Sequence, residues 1–156
     1  MNPHWSGVFP AVTTQIEQDQ SLNLPATARH LEVLIDCGVS GLIMCGSLGE
    51  NQTLAPEEKR AVVRCAVATA RGRVPVLSGV AESSTSAAIQ YIRDVKQLGA
   101  DGVMLLPPMS YKGDSQETVA FFRAVAAGSD LPIMIYNNPI SYANDITPAM
   151  FAELAE

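Results

Sequence analysis

The sequence predicts an α/β fold in which the strands of a parallel sheet alternate with covering helices. Three observations predict it. Short apolar runs recur along the chain, the stretches between them repeat apolar residues with helical period, and caps or stops fall at the junctions. The runs are "GVFPAV" from Gly7, "GLIMCG" from Gly41, "VPVLSGV" from Val74, "GVMLLPP" from Gly102 and "LPIMIY" from Leu131. Each has strand length and is apolar enough to be buried on both sides, as strands of a helix-covered parallel sheet are.

The helices follow from spacing and punctuation. Ala88, Tyr91, Ile92, Val95 and Leu98 share one helical face between the third and fourth runs. Asp114 with Glu117 forms a capping box, Thr147 before Pro148 starts the last helix, and Gly38 and Gly99 stop two others. "GVSGLIMCG" and "GADGVMLLP" echo each other across two βα units, each stepping from a helix end into a buried strand. The expected pattern is βα repeated five times. Such units close into a (βα)₈ barrel or lie open as a doubly wound sheet, and periodicity alone leaves both forms standing. The segment "TPAMFAELAE" keeps Met150, Phe151 and Leu154 in helical phase with no residue that closes the helix. The expectation is that residues 1–156 are the N-terminal portion of one barrel domain, about five of eight units, truncated in the last helix and without a second domain.

Composition narrows the partners. Of 156 residues, 47% are hydrophobic and 17% charged, enough for one sizeable core. The net charge of −6 opposes sequence-independent binding to nucleic acid or to an anionic membrane, since both need a basic footprint. Small molecules are the expected partners. Cys37, Cys45 and Cys65 form no C-x-x-C pair and suit reduced thiols in the cytoplasm, with Cys37 and Cys65 read as small buried hydrophobes. No apolar run approaches the ~20 residues that span a bilayer, and no export signal is recognised. His4 and His30 stand far apart and no metal-ligand spacing occurs, so no metal and no cofactor is expected.

The polar residues gather in loops that follow the runs, where both α/β architectures place ligands. In "CGSLGEN" two glycines let the backbone turn its N–H groups toward a carboxylate or phosphate, and Ser47 adds a hydroxyl. A plain βα turn with a capping glutamate also accounts for that loop. "LLPPMSYKGDS" carries Tyr111 and Lys112, and the fifth run leads into Tyr136, Asn137, Asn138 and Pro139. Two phenols and a serine at one end of a sheet can pass protons along a chain of hydroxyls, although each tyrosine could instead pack its ring and solvate its tip.

"GSLGE", "PPMSYKGDSQE" and "YNNP", in that order and spacing, resemble the dihydrodipicolinate synthase and N-acetylneuraminate lyase family of class I aldolases. The resemblance runs from about Val8 to the end. It implies a (βα)₈ barrel in which a lysine forms a Schiff base with pyruvate or another 2-oxo acid, in a homo-oligomer (dimer or tetramer), with open sheet edges as another route of association. It assigns proton shuttling to Tyr136 and a relay hydroxyl to Ser47. Tyr111 is matched, with a one-residue shift, to a tyrosine that family members lend across a dimer interface. The substrate-facing set is Gly46, Ser47, Leu48, Gly49, Asn138 and Ser141. Leu48 stands where the family commonly has threonine, and Ser141 where dihydrodipicolinate synthases proper place an arginine for their second substrate. "YNNP" is more similar to the branch that dehydrates or deaminates 2-oxo acid derivatives.

The family's Schiff-base lysine lies on a sixth strand, past Glu156. Lys59 and Lys96 are expected on helices, facing solvent or neighbouring helices, and Lys112 on a hydrated loop. The chain alone is therefore expected to be inactive. Two other readings are a non-catalytic fragment and a flavodoxin-like binding module with strand order 2-1-3-4-5.

Overall fold

The computed structural model describes residues 5–109 and 111–155; His4 and Ser110 lie outside them. One parallel sheet of four strands forms the frame: β1 (Leu42–Met44), β2 (Val76–Val80), β3 (Gly102–Leu105) and β4 (Ile133–Ile135), hydrogen-bonded in the order β1-β2-β3-β4. The helices are α1 (Leu24–Asp36), α2 (Pro56–Ala70), α3 (Thr85–Gln97), α4 (Ser115–Ala127), the single turn α5 (Pro139–Tyr142) and α6 (Pro148–Leu154). The order excludes the flavodoxin-like alternative, in which the first strand lies inside the sheet.

The first apolar run does not become a strand. It joins the sheet through one parallel bridge, Ala11 to Ile43, with Val12 N–H donating to the Ile43 carbonyl at 2.9 Å and Ile43 N–H to the Pro10 carbonyl at 3.1 Å. Pro10 lacks the N–H that a longer ladder would use. The run still stands beside β1, so the five runs curl in sequence order as the start of a barrel does.

Side chains alternate across the sheet. Leu42, Met44, Val76, Val80, Val103 and Leu105 join the helix-covered core with Leu31, Val62, Ile92 and Phe122. Ile43, Leu77, Met104 and Leu106 form a smaller cluster on the other face, with Trp5, Phe9, Met134, Tyr136 and Tyr142 against it. The sequence echo acquires a physical meaning here. Gly38 and Gly99 end α1 and α3 with φ of +84° and +90°, while a Cβ on Gly41 would lie 2.0 Å from Phe9 and one on Gly102 2.4 Å from Trp5. The first glycine of each pair stops a helix, and the second admits an aromatic ring onto the inner face.

The expected caps form. Asp114 accepts from Glu117 N–H at 2.9 Å while Glu117 accepts from Asp114 N–H at 3.2 Å, and Thr147 caps α6. Ala88, Tyr91, Ile92 and Val95 are buried, with Leu98 partly so. Two thiols depart from expectation. Cys37 is exposed because it occupies the C-cap of α1, where the chain leaves the helix, and Cys65 is only partly buried.

Candidate functional site

The site is built at the C-terminal ends of β1 and β4. After β1 the chain passes Cys45 in the left-handed region (φ 52°), turns through Gly46, makes a 3₁₀ turn over Ser47–Gly49 and leaves through Glu50, again left-handed (φ 66°). Such conformations each cost about 1–3 kcal/mol, so the surroundings must hold the loop in place. Thr14 Oγ1 donates to the Gly49 carbonyl at 2.8 Å, and Asn51 Nδ2 donates to the carbonyls of Cys45 (2.8 Å) and Gly79 (3.3 Å). Gly79 is required beside it, for a Cβ there would lie 2.4 Å from the Cys45 oxygen. With Gly46 and Gly49 buried, Ser47 and Leu48 remain exposed at the rim.

The β4 end is shaped by three asparagines. Asn137 ties the returning chain, its Oδ1 accepting from Ile146 N–H at 3.1 Å and its Nδ2 donating to Asp145 and the Ile146 carbonyl. Asn138 caps α5 by accepting from Ser141 N–H at 3.3 Å, and its Nδ2 donates to the Tyr136 hydroxyl at 3.3 Å. Ala143 then turns left-handed (φ 60°). Buried Asn144 clamps the neighbouring loop, donating to the Pro108 and Tyr111 carbonyls and accepting from Gly113 N–H at 2.9 Å.

These turns bring Tyr142 onto Ser47, hydroxyl to hydroxyl, across 95 residues of chain. The Tyr142 and Tyr136 rings meet edge to face, centroids 6.0 Å apart. Ser47, Tyr136 and Asn138 are therefore brought together, with Tyr142 between the two loops. Ser141 is exposed and contributes its backbone N–H to the cap on α5. Tyr111 stands apart within the chain: the residue is 57% exposed and lines an outer groove with Glu82, Thr85 and Phe121. Tyr142 escaped the sequence reading. The available signal was Pro139 at the first position of a turn behind an asparagine cap, which places residue 142 back over the strand end.

Lys59 faces the neighbouring helix α3, one of the two placements expected for it. It is buried, its ammonium pairs with Glu82 from the loop after β2, and it lies 5.1 Å from the centre of the Tyr91 ring. The pair with Glu82 offsets the cost of burying its charge. Cys45 belongs to the same region; burial pushes its thiol up to about 12, so it behaves as a small hydrophobe. Lys96 is paired with Asp130, and Lys112 is exposed. Among the described residues no three His, Cys, Asp or Glu side chains gather as metal ligands, and no helix is long and apolar enough to cross a membrane.

The sequence profile of the Dihydrodipicolinate synthetase family matches residues 4–156. The chain is 35% identical over 153 residues to a 4-hydroxy-tetrahydrodipicolinate synthase of Methanosphaerula palustris, covering 97% of this chain and 52% of that protein. It is 36% identical over 152 residues to the putative 2-dehydro-3-deoxy-D-gluconate aldolase YagE of Escherichia coli, covering 97% and 50%. The crystal structure of YagE in complex with pyruvate superposes with a TM-score of 0.94 at 35% identity, over 98% of this chain and 51% of that one. Dihydrodipicolinate synthase from Aquifex aeolicus superposes with a TM-score of 0.93 at 30% identity, over 97% and 51%. The chain thus spans about half the length of the relatives it matches, and its sequential parallel sheet corresponds to the N-terminal part of their barrel. By profile, by sequence and by the superposition of its strands, the chain belongs to the dihydrodipicolinate synthetase family.

Proposed function

We propose that this chain carries the proton-transfer part of a Schiff-base lyase acting on pyruvate or another 2-oxo acid, and that the imine-forming lysine belongs to the part of the relatives' length that it does not span. One observation carries the reading: Ser47, Tyr142, Tyr136 and Asn138 converge beside the Gly46–Gly49 loop at the C-terminal end of a family-type parallel sheet. An amine adds to the 2-oxo carbon, water leaves, and the protonated imine draws electrons from the neighbouring C–H or C–C bond. What this chain supplies is proton movement and the carboxylate cradle. Tyr136 gives and takes the proton at the reacting carbon, aided by the amide of Asn138. The amides of Ser47 and Leu48, at the start of a 3₁₀ turn and without acceptors inside it, suit the substrate's carboxylate.

The chain's own lysines are poor candidates for the imine. Lys59 is held by Glu82, Lys96 by Asp130, and Lys112 is exposed on a loop rather than enclosed in a dry pocket. Ser141 in place of an arginine favours a single 2-oxo acid substrate over condensation with a second, carboxylate-bearing partner. We assign residues 1–156 to a single barrel domain, the protein to a cytoplasmic homo-oligomer, and the 156-residue chain alone to an inactive state.

Borohydride reduction in the presence of pyruvate tests the reading on the full-length protein. The expected result is one reduced pyruvyl group on a lysine that follows residue 156, with Lys59, Lys96 and Lys112 unmodified. A full-length protein that gains no such group, or gains it on Lys112, overturns it.

A further inference from the structure

We propose that the ring of Tyr142 limits the length of the 2-oxo acid that the site admits, so that pyruvate-sized acids are taken in preference to acids with a longer chain beyond C3. The inference rests on the imine reading above and deepens it, by naming a residue that determines specificity and the substrate class it selects.

Tyr142 spans the gap between the two loops of the site. Its hydroxyl meets Ser47 Oγ after β1, and its ring meets Tyr136 after β4 edge to face, at 63° between the ring planes. The same ring packs against the inner-face cluster of Ile43, Leu77, Met104 and Leu106. Pro139, Ile140 and Ser141 are exposed, and Tyr142 is the one residue of α5 turned inward. A substrate whose carboxylate rests on the Gly46–Gly49 loop and whose reacting carbon faces Tyr136 therefore lies alongside this phenol. A chain that grows from C3 meets the ring.

The ring is anchored on both sides along the chain. Tyr142 N–H donates to the Asn138 carbonyl at 3.0 Å, and Asn138 Oδ1 caps the same turn by accepting from Ser141 N–H at 3.3 Å. Ala143 follows in the left-handed region, and buried Asn144 is bound to three main-chain groups of the loop after β3. Moving the phenol aside breaks its bond to Ser47 and its contact with Tyr136. A wall held in this way excludes added methylenes by overlap instead of yielding to them. The exclusion is steric, so it belongs to the ring and not to the hydroxyl.

The test measures borohydride trapping on the full-length protein across a concentration series of pyruvate and of 2-oxohexanoate, and compares the two half-saturating concentrations. The parent is expected to favour pyruvate by about 10-fold or more, the scale on which a pocket wall discriminates a few methylenes. Tyr142→Ala removes the ring and is expected to shrink that preference by about 10-fold, with Tyr142→Leu in between. Tyr142→Phe keeps the ring and is expected to stay within about twofold of the parent's preference. If the alanine variant does not fold, the leucine variant decides, and the parent's own preference decides without any substitution. Equal trapping of the two acids by the parent, or an unchanged preference in the alanine and leucine variants, overturns the inference and leaves the imine reading standing. So does a preference lost in Tyr142→Phe, which would place the selection in the hydroxyl. Folded alanine and leucine variants that trap no pyruvate would make the ring part of pyruvate's own seat, and overturn it too. Absence of pyruvate trapping in the parent removes the imine reading and this inference with it.

Discussion

Two serine–tyrosine pairs sit on opposite faces of one sheet. Ser78 and Tyr91 are bonded at 2.9 Å on the helix-covered face, 0% and 2% exposed, and Lys59 lies over the ring with Glu82 beside it. Ser47 and Tyr142 are bonded at the open end, where Ser47 is exposed and a second phenol stands 6.0 Å away, centroid to centroid. The chemistry of the two pairs is the same and their surroundings are opposite. Burial raises the Tyr91 phenol well above its usual range, so its proton has nowhere to go. The second pair meets solvent, with Ser47 exposed and Tyr142 half-buried. Location relative to water, rather than residue type, separates a pair that holds α3 to β2 from one left open to exchange with solvent.

Substitutions on each side sharpen that contrast. The largest effect is expected from Tyr136→Phe, which under the proposed function should lower kcat of the full-length protein by about 100-fold or more while leaving the urea midpoint in place; a stability loss that matches the activity loss would put Tyr136 in the structural class instead. Lys59→Met comes next. It leaves the Glu82 carboxylate, 16% exposed, without its partner, and should cost about 3 kcal/mol in urea unfolding with KM unchanged. Tyr91→Phe should cost less, about 1–2 kcal/mol, since only Ser78 loses a partner. Turnover lost in Tyr91→Phe without any loss of stability would erase the difference between the pairs.

The same contrast explains what the sequence could disclose. Strand positions, the Asp114 and Thr147 caps and the glycine stops depend on residues within a few positions of each other, and local physics decides them. The first run read as a strand because its apolar content is right; a single proline then reduced it to a bridge. That Tyr136 and Ser47 come to the same end of the sheet was legible through the motifs around them. The position of Tyr142 was not, because it depends on a bond across 95 residues and on the turn that Asn138 and Pro139 impose. For Lys59 the sequence disclosed a helix residue facing solvent or a neighbouring helix, but nothing local reveals that Glu82, 23 residues on, folds back to meet it. Tyr111 is a different case: within one chain it faces an outer groove beside Glu82 and Phe121, and the place expected for it lies in a neighbouring subunit.

The smallest expected effect concerns Cys45, which borders both regions: its thiol is buried in the helix-covered core and its carbonyl braces the loop that carries Ser47. Burial holds the thiol protonated to about 12, against an ordinary value of 9.0. Between those values the unfolded chain has lost a proton that the folded chain keeps. The folded state then binds more protons, so its stability is undiminished below pH 9 and falls as pH rises toward 12, by about 1.4 kcal/mol per pH unit for this one group. Cys45→Ala should flatten the fall in urea stability between pH 9 and pH 11 by that slope, whatever it costs at neutral pH through the space it leaves. Because only the slope is compared, the packing loss cancels. An unchanged slope would mean that the thiol reaches water in the folded state. The wall between the core and the loop would then be open, and the division between the two hydroxyl pairs would fail at the point where they come nearest in sequence.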